Sequence, residues 1–270
     1  MYQIIAGTFI CMGIALHAYR KNSLTLSGIS GAVCMGVLLT VFGGLYFLSI
    51  LIAFFISSTI VGRFSKHLER DLGAIHQKCG ARDIAQVVAN GFPSFIFAIL
   101  FYLTGNHIFI LGFSTGIASA NADTWGSELG VLSKKPPVSI ITFKPIPKGL
   151  SGGITLAGSV ASLAGAVLIA AVFTAGYQLV YNNNEHRLLS FILCLTGGYT
   201  GSLLDSILGA TIQVKYFSEK DGRITEKRVS NGSVNEVISG HPLVNNDVVN
   251  FTSSFISSLL TVFVYMMFSG

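Results

Sequence analysis

The sequence predicts an all-α polytopic integral membrane protein, a single transmembrane helical domain over residues 1–270 with about eight spans and no soluble domain. Three observations predict it. Hydrophobic residues make up 51% of the chain and charged residues only 11%, where a soluble domain carries about 25% charged residues. Apolar segments recur at approximately 2–19, 24–42, 44–62, 84–103, 107–123, 153–180, 188–212 and 247–268, most of them near the roughly 20 residues that a helix needs to cross the bilayer core. Finally, sixteen of the seventeen Lys and Arg residues fall in alternate loops. Helix is the default reading, because a spanning backbone must satisfy its own hydrogen bonds.

The first segment, "MYQIIAGTFICMGIALHAYRK", has no basic start, and its positive residues follow the apolar run. It reads as a retained helix rather than a signal peptide. The second and third segments meet at "FGG" and read as a tight helical hairpin. The fourth opens with "DIAQVVANGFP", which places Gln86 and Asn90 on one face with Pro93 one turn further on. The fifth is short and ends in "NADTWGSELG". The sixth carries Gly158, Ser162 and Ala166 at four-residue steps, a spacing that suits close helix packing. The seventh contains "GSLLDSILGATIQ". The eighth starts "NNDVVNFTSSFISS", with Asn246, Asn250, Ser254 and Ser257 on one face. The two polar stripes suit hydrogen bonds between helices. Both also begin at the same membrane face and so suit a shared cleft.

The loops set the orientation. Those after the first, third, fifth and seventh spans carry Arg20 and Lys21; Arg63, Lys66, Arg70, Lys78 and Arg82; Lys134, Lys135, Lys144 and Lys148; and Lys215, Lys220, Arg223, Lys227 and Arg228. The opposite loops carry only Arg187. The positive-inside rule assigns the basic face to the cytoplasm of a bacterial cytoplasmic membrane, with both termini outside. This bias accounts for the net charge of +5 without a nucleic-acid partner. The four cysteines include Cys79 in a basic loop and form no CxxC pair, and the histidines show no HExxH spacing, so no disulfide framework or zinc site is indicated.

Acidic residues stand where they are expensive. A carboxylate within a spanning helix costs ~2.5–3.5 kcal/mol on insertion scales. Asp123 falls at the cytoplasmic end of the fifth span, and Asp205 lies one to two turns inside the seventh. Gly198, Ser202, Asp205 and Gly209 share a helical face that suits a narrow polar cleft. Asp123 and Glu128 are five residues apart, about 140° around a helix. They point the same way only if the helix ends between them, which Gly126 permits. Asp123 and Asp205 are the better pair for a shared Mg²⁺, which favours a few carboxylates plus waters and substrate phosphates.

A third piece of sequence reaches the same face. In "ITFKPIPKGLSGGIT", Pro145 and Pro147 stiffen a loop beside Lys144 and Lys148. Gly149, Gly152 and Gly153, with Ser151 among them, allow close backbone approach. A helix N-terminus follows, making an anion site. It is not a Walker A loop, since no GKS or GKT closes it. Asn90, Asn121, Ser202, Gln213, Asn246 and Asn250 are further candidates to line the cleft. In the last loop, "GRITEKRVSNG" has a hairpin-like pattern, which suits a small lid.

The stretches "GARDIAQVVANG", "ASANADTWGSELG", "TFKPIPKGLSGGITLAGSVAS", "GSLLDSILGATIQ" and "NNDVVNFTSS" together resemble the transmembrane protein 19 family, which includes the plant phytyl-phosphate kinase of vitamin E synthesis. The likeness spans most of the chain, in family order. Gly126 stands where the family often has Ala, and Leu150 where it often has Thr; neither removes a charged group. The resemblance implies an integral-membrane kinase that converts an isoprenyl monophosphate to its diphosphate, using CTP or ATP. It implies catalytic roles for Asp123, Glu128 and Asp205, with Mg²⁺ on Asp123 and Asp205. Nucleotide phosphates would then lie on Lys144, Lys148, Gly149, Ser151, Gly152 and Gly153. The rivals are a CTP-dependent cytidylyltransferase acting on a lipid phosphate and a membrane transporter. Chain length, nucleotide and oligomeric state are open at this point.

The charge bias yields one direct prediction. A cysteine placed in the 213–246 loop should react with a membrane-impermeant label only from the cytoplasmic side. Labelling from outside intact cells would overturn the orientation.

Overall fold

The computed structural model describes residues 1–68, 80–182 and 186–269. Arg70, Lys78 and Cys79 of the basic loop lie outside the described residues, as does the Lys66 side chain. Among the described residues seven long helices carry the fold: α1 (Tyr2–Arg20), α2 (Leu26–Leu68), α3 (Ile84–Thr104), α4 (Ile108–Gly130), α5 (Leu156–Tyr181), α6 (Arg187–Thr211) and α7 (Asn246–Ser269). Six of them, all but α4, are long and apolar enough to cross a membrane. In α2 that apolar stretch is 40 residues long, twice what one crossing takes.

Gly44 resolves the excess. Its backbone stands at φ 68°, ψ −164°, a region open essentially to glycine alone. The chain turns there, so α2 is two antiparallel arms, 26–43 and 45–68, as the "FGG" hairpin predicts. The Gln3 side-chain oxygen accepts from the Leu45 N–H at the start of the second arm. With the two arms of α2 taken separately, the described residues hold seven apolar helical stretches of spanning length, with α4 packed among them.

One helix departs from expectation. The fifth span does not end near residue 123, nor at Gly126, which would permit it: α4 continues unbroken through the polar motif to Gly130. Every residue from Ile110 to Ala122 is buried, because α2, α3, α5, α6 and α7 all pack on it. A helix enclosed by protein need not be as apolar as one facing lipid. At the centre, Phe47 of α2 stacks on Phe113 of α4 with ring centroids 4.5 Å apart. Against α5 the approach is closer still. A Cβ added to Gly158 would lie 2.9 Å from the Gly126 carbonyl oxygen, so the expected Gly158–Ser162–Ala166 stripe is a packing seam.

The loops segregate. On one face, Arg82 N–H donates to the Ser23 carbonyl and the Arg82 carbonyl accepts from Thr25 N–H, each at 3.0 Å. The segment between α4 and α5 joins them there through β1 (Val138–Ser139) and β2 (Gly153–Ile154), which pair antiparallel. So does the segment between α6 and α7. It forms β3 (Lys215–Ser218), β4 (Arg223–Thr225), β5 (Val229–Ser230), β6 (Ser233–Val234) and β7 (Glu236–Ser239). These make a sheet of order β4-β3-β7 and a separate β5–β6 hairpin, so the hairpin pattern read from this loop is present, doubled. The opposite face holds Gly44 and an aromatic cluster in which His107 Nδ1 and the Tyr177 hydroxyl share a hydrogen bond of 2.7 Å.

Gly44→Ala should lower stability by ~1–3 kcal/mol, the cost of forcing a side chain into that backbone region. Gly13→Ala is the control. Gly13 is a helical glycine with open space around its Cα, and the change should be neutral or slightly stabilising. Thermal unfolding in detergent checks both; equal midpoints would remove Gly44 from its role.

Candidate functional site

The basic face encloses a cavity of ≈ 630 Å³. Its walls come from the ends of α2, α3, α4, α6 and α7 and from the glycine-rich segment leading into α5. Asp123, Glu128, Asp205, Lys148, Gly149, Ser151, Gly152 and Gly153 all line it, as do Asn90, Ser202, Asn246 and Asn250. Residues far apart in sequence thus share one chamber.

Asp205 is held from α7. Its Oδ2 accepts from Ser253 Oγ of α7 at 3.1 Å. One turn earlier, Ser202 Oγ shares a hydrogen bond of 3.2 Å with Ser162 Oγ of α5. The carboxylate stands close enough to Asp123 and to Glu226 for their charges to interact. The expected face of α6, Gly198 to Gly209, is buried along its length. Two acidic groups from α4 and α6 therefore face each other across a polar space. Among the described residues no group of three or more His, Cys, Asp or Glu is placed to hold a metal ion without further ligands.

The glycine-rich segment is seated on α6. Gly152 has φ +88°, and a Cβ there would lie 2.5 Å from the Ala210 Cβ, so only glycine fits. The segment then hands its chain to α5, where Thr155 Oγ1 caps the helix by accepting from Gly158 N–H at 3.0 Å. Lys148 Nζ donates to the Val131 carbonyl at 3.2 Å, and its side chain lies on the cavity wall.

Glu128 belongs to a different part of the wall. α4 continues as a helix, so Glu128 points well away from Asp123, as the 140° offset requires. It accepts from Ser65 Oγ of α2 and faces the Arg82 guanidinium. Burial lowers the Arg82 pKa from its ordinary value, and the Glu128 charge raises it again. The cavity reaches both carboxylates by wrapping around the end of α4.

Three predicted residues lie elsewhere. Asn121 is fully buried in the helix core. It donates to the Gly165 carbonyl at 2.8 Å and accepts from Ser57 Oγ at 3.0 Å, tying α4 to α5 and α2 rather than lining the cleft. Lys144 is exposed on the loop surface, because β1 and β2 pull its segment outward, and it is not among the cavity residues. Gln213 is buried beneath the sheet and also lies off the cavity wall.

The sequence reading missed others. Arg82 looked like one more positive-inside residue. Ser253 sits one position off the Asn246–Asn250–Ser254 stripe, and its partner on α6 became visible only in the packing. Glu226 had no periodic signal at all. It is 3% exposed, and its Oε1 accepts from the Ser151 N–H at 2.9 Å, so the last loop grips the glycine-rich segment from above. Glu226 also raises the pKa of Lys215, against a larger lowering by burial.

Comparison with known proteins shows the family. Protein PGR of Arabidopsis thaliana is 34% identical over 98% of both chains. An uncharacterised membrane protein of Methanocaldococcus jannaschii is 30% identical over 98% of this chain and 95% of its own. Protein VTE6, chloroplastic, of Arabidopsis thaliana is 24% identical over 89% of this chain and 65% of its own. No solved structure matches. Residues 9–258 match the family described as Integral membrane protein DUF92. With most of its length covered by that match and by full-length relatives, the chain belongs to the DUF92 integral membrane family.

Proposed function

We propose that this protein is an isoprenyl-phosphate kinase that transfers the γ-phosphoryl group of CTP or ATP to a lipid monophosphate, giving the diphosphate. The supporting observation is the single cavity that carries Asp123, Asp205, Lys148 and the glycine-rich segment together. The family that the motifs resemble points to the same chemistry.

Phosphoryl transfer needs alignment and charge neutralisation more than covalent help. In this reading the Gly149 and Gly152 N–H groups and the Lys148 ammonium hold the β- and γ-phosphates of the nucleotide, while the Ser151 N–H stays on Glu226. An oxygen of the lipid phosphate attacks the γ-phosphorus in line, the bond to the bridging oxygen breaks, and the nucleoside diphosphate departs. The acceptor is already an anion, so no strong general base is required. Mg²⁺ suits the donor set, because it is commonly held by one or two carboxylates with the rest of its shell from phosphates and water. Asp123 and Asp205 would hold it, and it would neutralise the phosphate oxygens. With the basic face in the cytoplasm, nucleotide enters from water and lipid from the inner leaflet.

Asp123→Asn and Asp205→Asn should each reduce turnover at least ~100-fold, corresponding to ~3 kcal/mol of lost transition-state stabilisation. Expression and folding should hold, since each change keeps the side chain's shape and removes one of two facing like charges. Lys148→Ala should raise the KM for nucleotide, while Lys134→Ala, on an exposed turn, should leave kinetics unchanged. The assay is purified protein with a panel of isoprenyl monophosphates, CTP and ATP, and mass spectrometry of products. Release of pyrophosphate would indicate a cytidylyltransferase instead. Near-full activity in both Asn variants would sink the site.

Glu226→Ala tests the grip of the last loop. Loss of its bond to Ser151 should lower kcat/KM about tenfold or more, the scale of a charge-assisted hydrogen bond of ~1.5–3 kcal/mol. Membrane insertion should be unaffected, and unchanged kinetics would retire the lid role.

A further inference from the structure

A second cavity lies beside the first and is almost wholly apolar. It is a slot of ≈ 80 Å³ walled by α1, both arms of α2 and α3, with Cys11, Ala32, Met35, Leu51 and Phe55 among its lining. Three residues border both cavities: Arg82, Gln86 and Asn90. Gln86 and Asn90 stand one turn apart at the start of α3, and Arg82 lies two residues before the helix. The hydrogen bonds described for Gln86 and Asn90 side chains stay within their own turn. Gln86 Oε1 accepts from Asp83 N–H, and Asn90 Nδ2 donates to the Gln86 carbonyl. Gln86 and Asn90 therefore stand on a boundary between two spaces.

Arg82 is the basic side chain on that boundary. Its guanidinium faces the Glu128 carboxylate, lies 5.7 Å from the Phe54 ring centroid and donates from Nη1 to Ser58 Oγ at 3.0 Å. A guanidinium offers five donors in a planar fork that matches phosphate oxygens. On its apolar side is the narrow slot; on its polar side is the chamber that holds Asp123 and Asp205. An anion at Arg82 with one hydrocarbon tail would place its charge in the chamber and its tail in the slot.

We propose that this junction is the lipid subsite. The phosphate of a single-chain isoprenyl monophosphate sits at Arg82, its first isoprene unit fills the slot between α1, α2 and α3, and the remaining chain leaves for the bilayer. The inference rests on the kinase reading for the identity of the headgroup, and it adds where the acceptor binds. The slot's width favours one chain over the paired chains of a diacyl lipid. The shared wall brings the acceptor phosphate into the same chamber as the glycine-rich segment.

A photo-crosslinking experiment tests it without relying on turnover. The probe is farnesyl monophosphate with a diazirine in the isoprene unit next to the phosphate, added to the full-length protein in nanodiscs. Labelling should map by mass spectrometry to Met35, Leu51 or Phe55. Excess farnesyl monophosphate should remove it, and farnesol should not. Ala32→Phe, which fills the slot, should reduce labelling about tenfold, equivalent to ~1.4 kcal/mol of binding. Label confined to the lipid-facing surfaces of α1 and α7 overturns the subsite, as does equal competition by a diacyl phosphatidic acid. The wild-type map and competition decide the matter even if Ala32→Phe fails to fold. Correct labelling without diphosphate formation would uphold the lipid site and refute the kinase reading. Diphosphate formation with label elsewhere would do the reverse.

Discussion

The enclosure of α4 is the constraint on which the rest of the structure depends. A helix that carries Asn121 and Asp123 into a bilayer is stable only if protein, not lipid, surrounds it. Five helices supply that surround, and small residues let them come close. Gly158 and Gly165 of α5 approach the α4 backbone so nearly that an added Cβ would lie 2.9 Å and 3.1 Å from the carbonyl oxygens of Gly126 and Asn121. With the backbones this close, Asn121 can reach both α2 and α5, and those bonds fix the rotation of α4. That rotation in turn aims Asp123 toward α6 and Glu128 toward α2.

The polar chamber is then a consequence of where the packing stops. Above Asn121 the core is closed by aromatic and aliphatic side chains such as Phe47, Phe113 and Ile117. Below it the helices end, and loops take over as walls. The glycine-rich segment fits against α6 because Gly152 and Gly209 leave room, and Glu226 fastens it from the other side. Burying Glu226 under a loop is costly unless its carboxylate is bonded. Its bond to Ser151 meets that need and couples the sheet to the chamber.

Much of the fold was legible in the sequence because membrane insertion writes its requirements locally. Span length, the turn at "FGG" and the alternation of basic loops each follow from short stretches, and the structure has them. The meeting of Asp123 with Asp205 was legible because an acidic group in an apolar helix needs a shared reason. The extent of α4 was not: Gly126 permits a helix end, but tertiary packing against Ser162 carries the helix through it. Nor were the roles of Asn121, Lys144, Arg82 and Glu226. A side chain's address within a bundle depends on helix rotation and loop path, and neither has a periodic signature.

The bond between Ser253 and Asp205 has a consequence for biogenesis. The two residues are 48 positions apart, and Ser253 lies on the last helix. At roughly 5–20 residues per second, the ribosome takes seconds to deliver that hydroxyl after Asp205 has left it. During that interval α6 holds its carboxylate without its α7 partner. A chain interrupted before α7 therefore exposes a polar helix flank inside the bilayer, the kind of defect by which a quality-control protease distinguishes an unfinished membrane protein from a finished one.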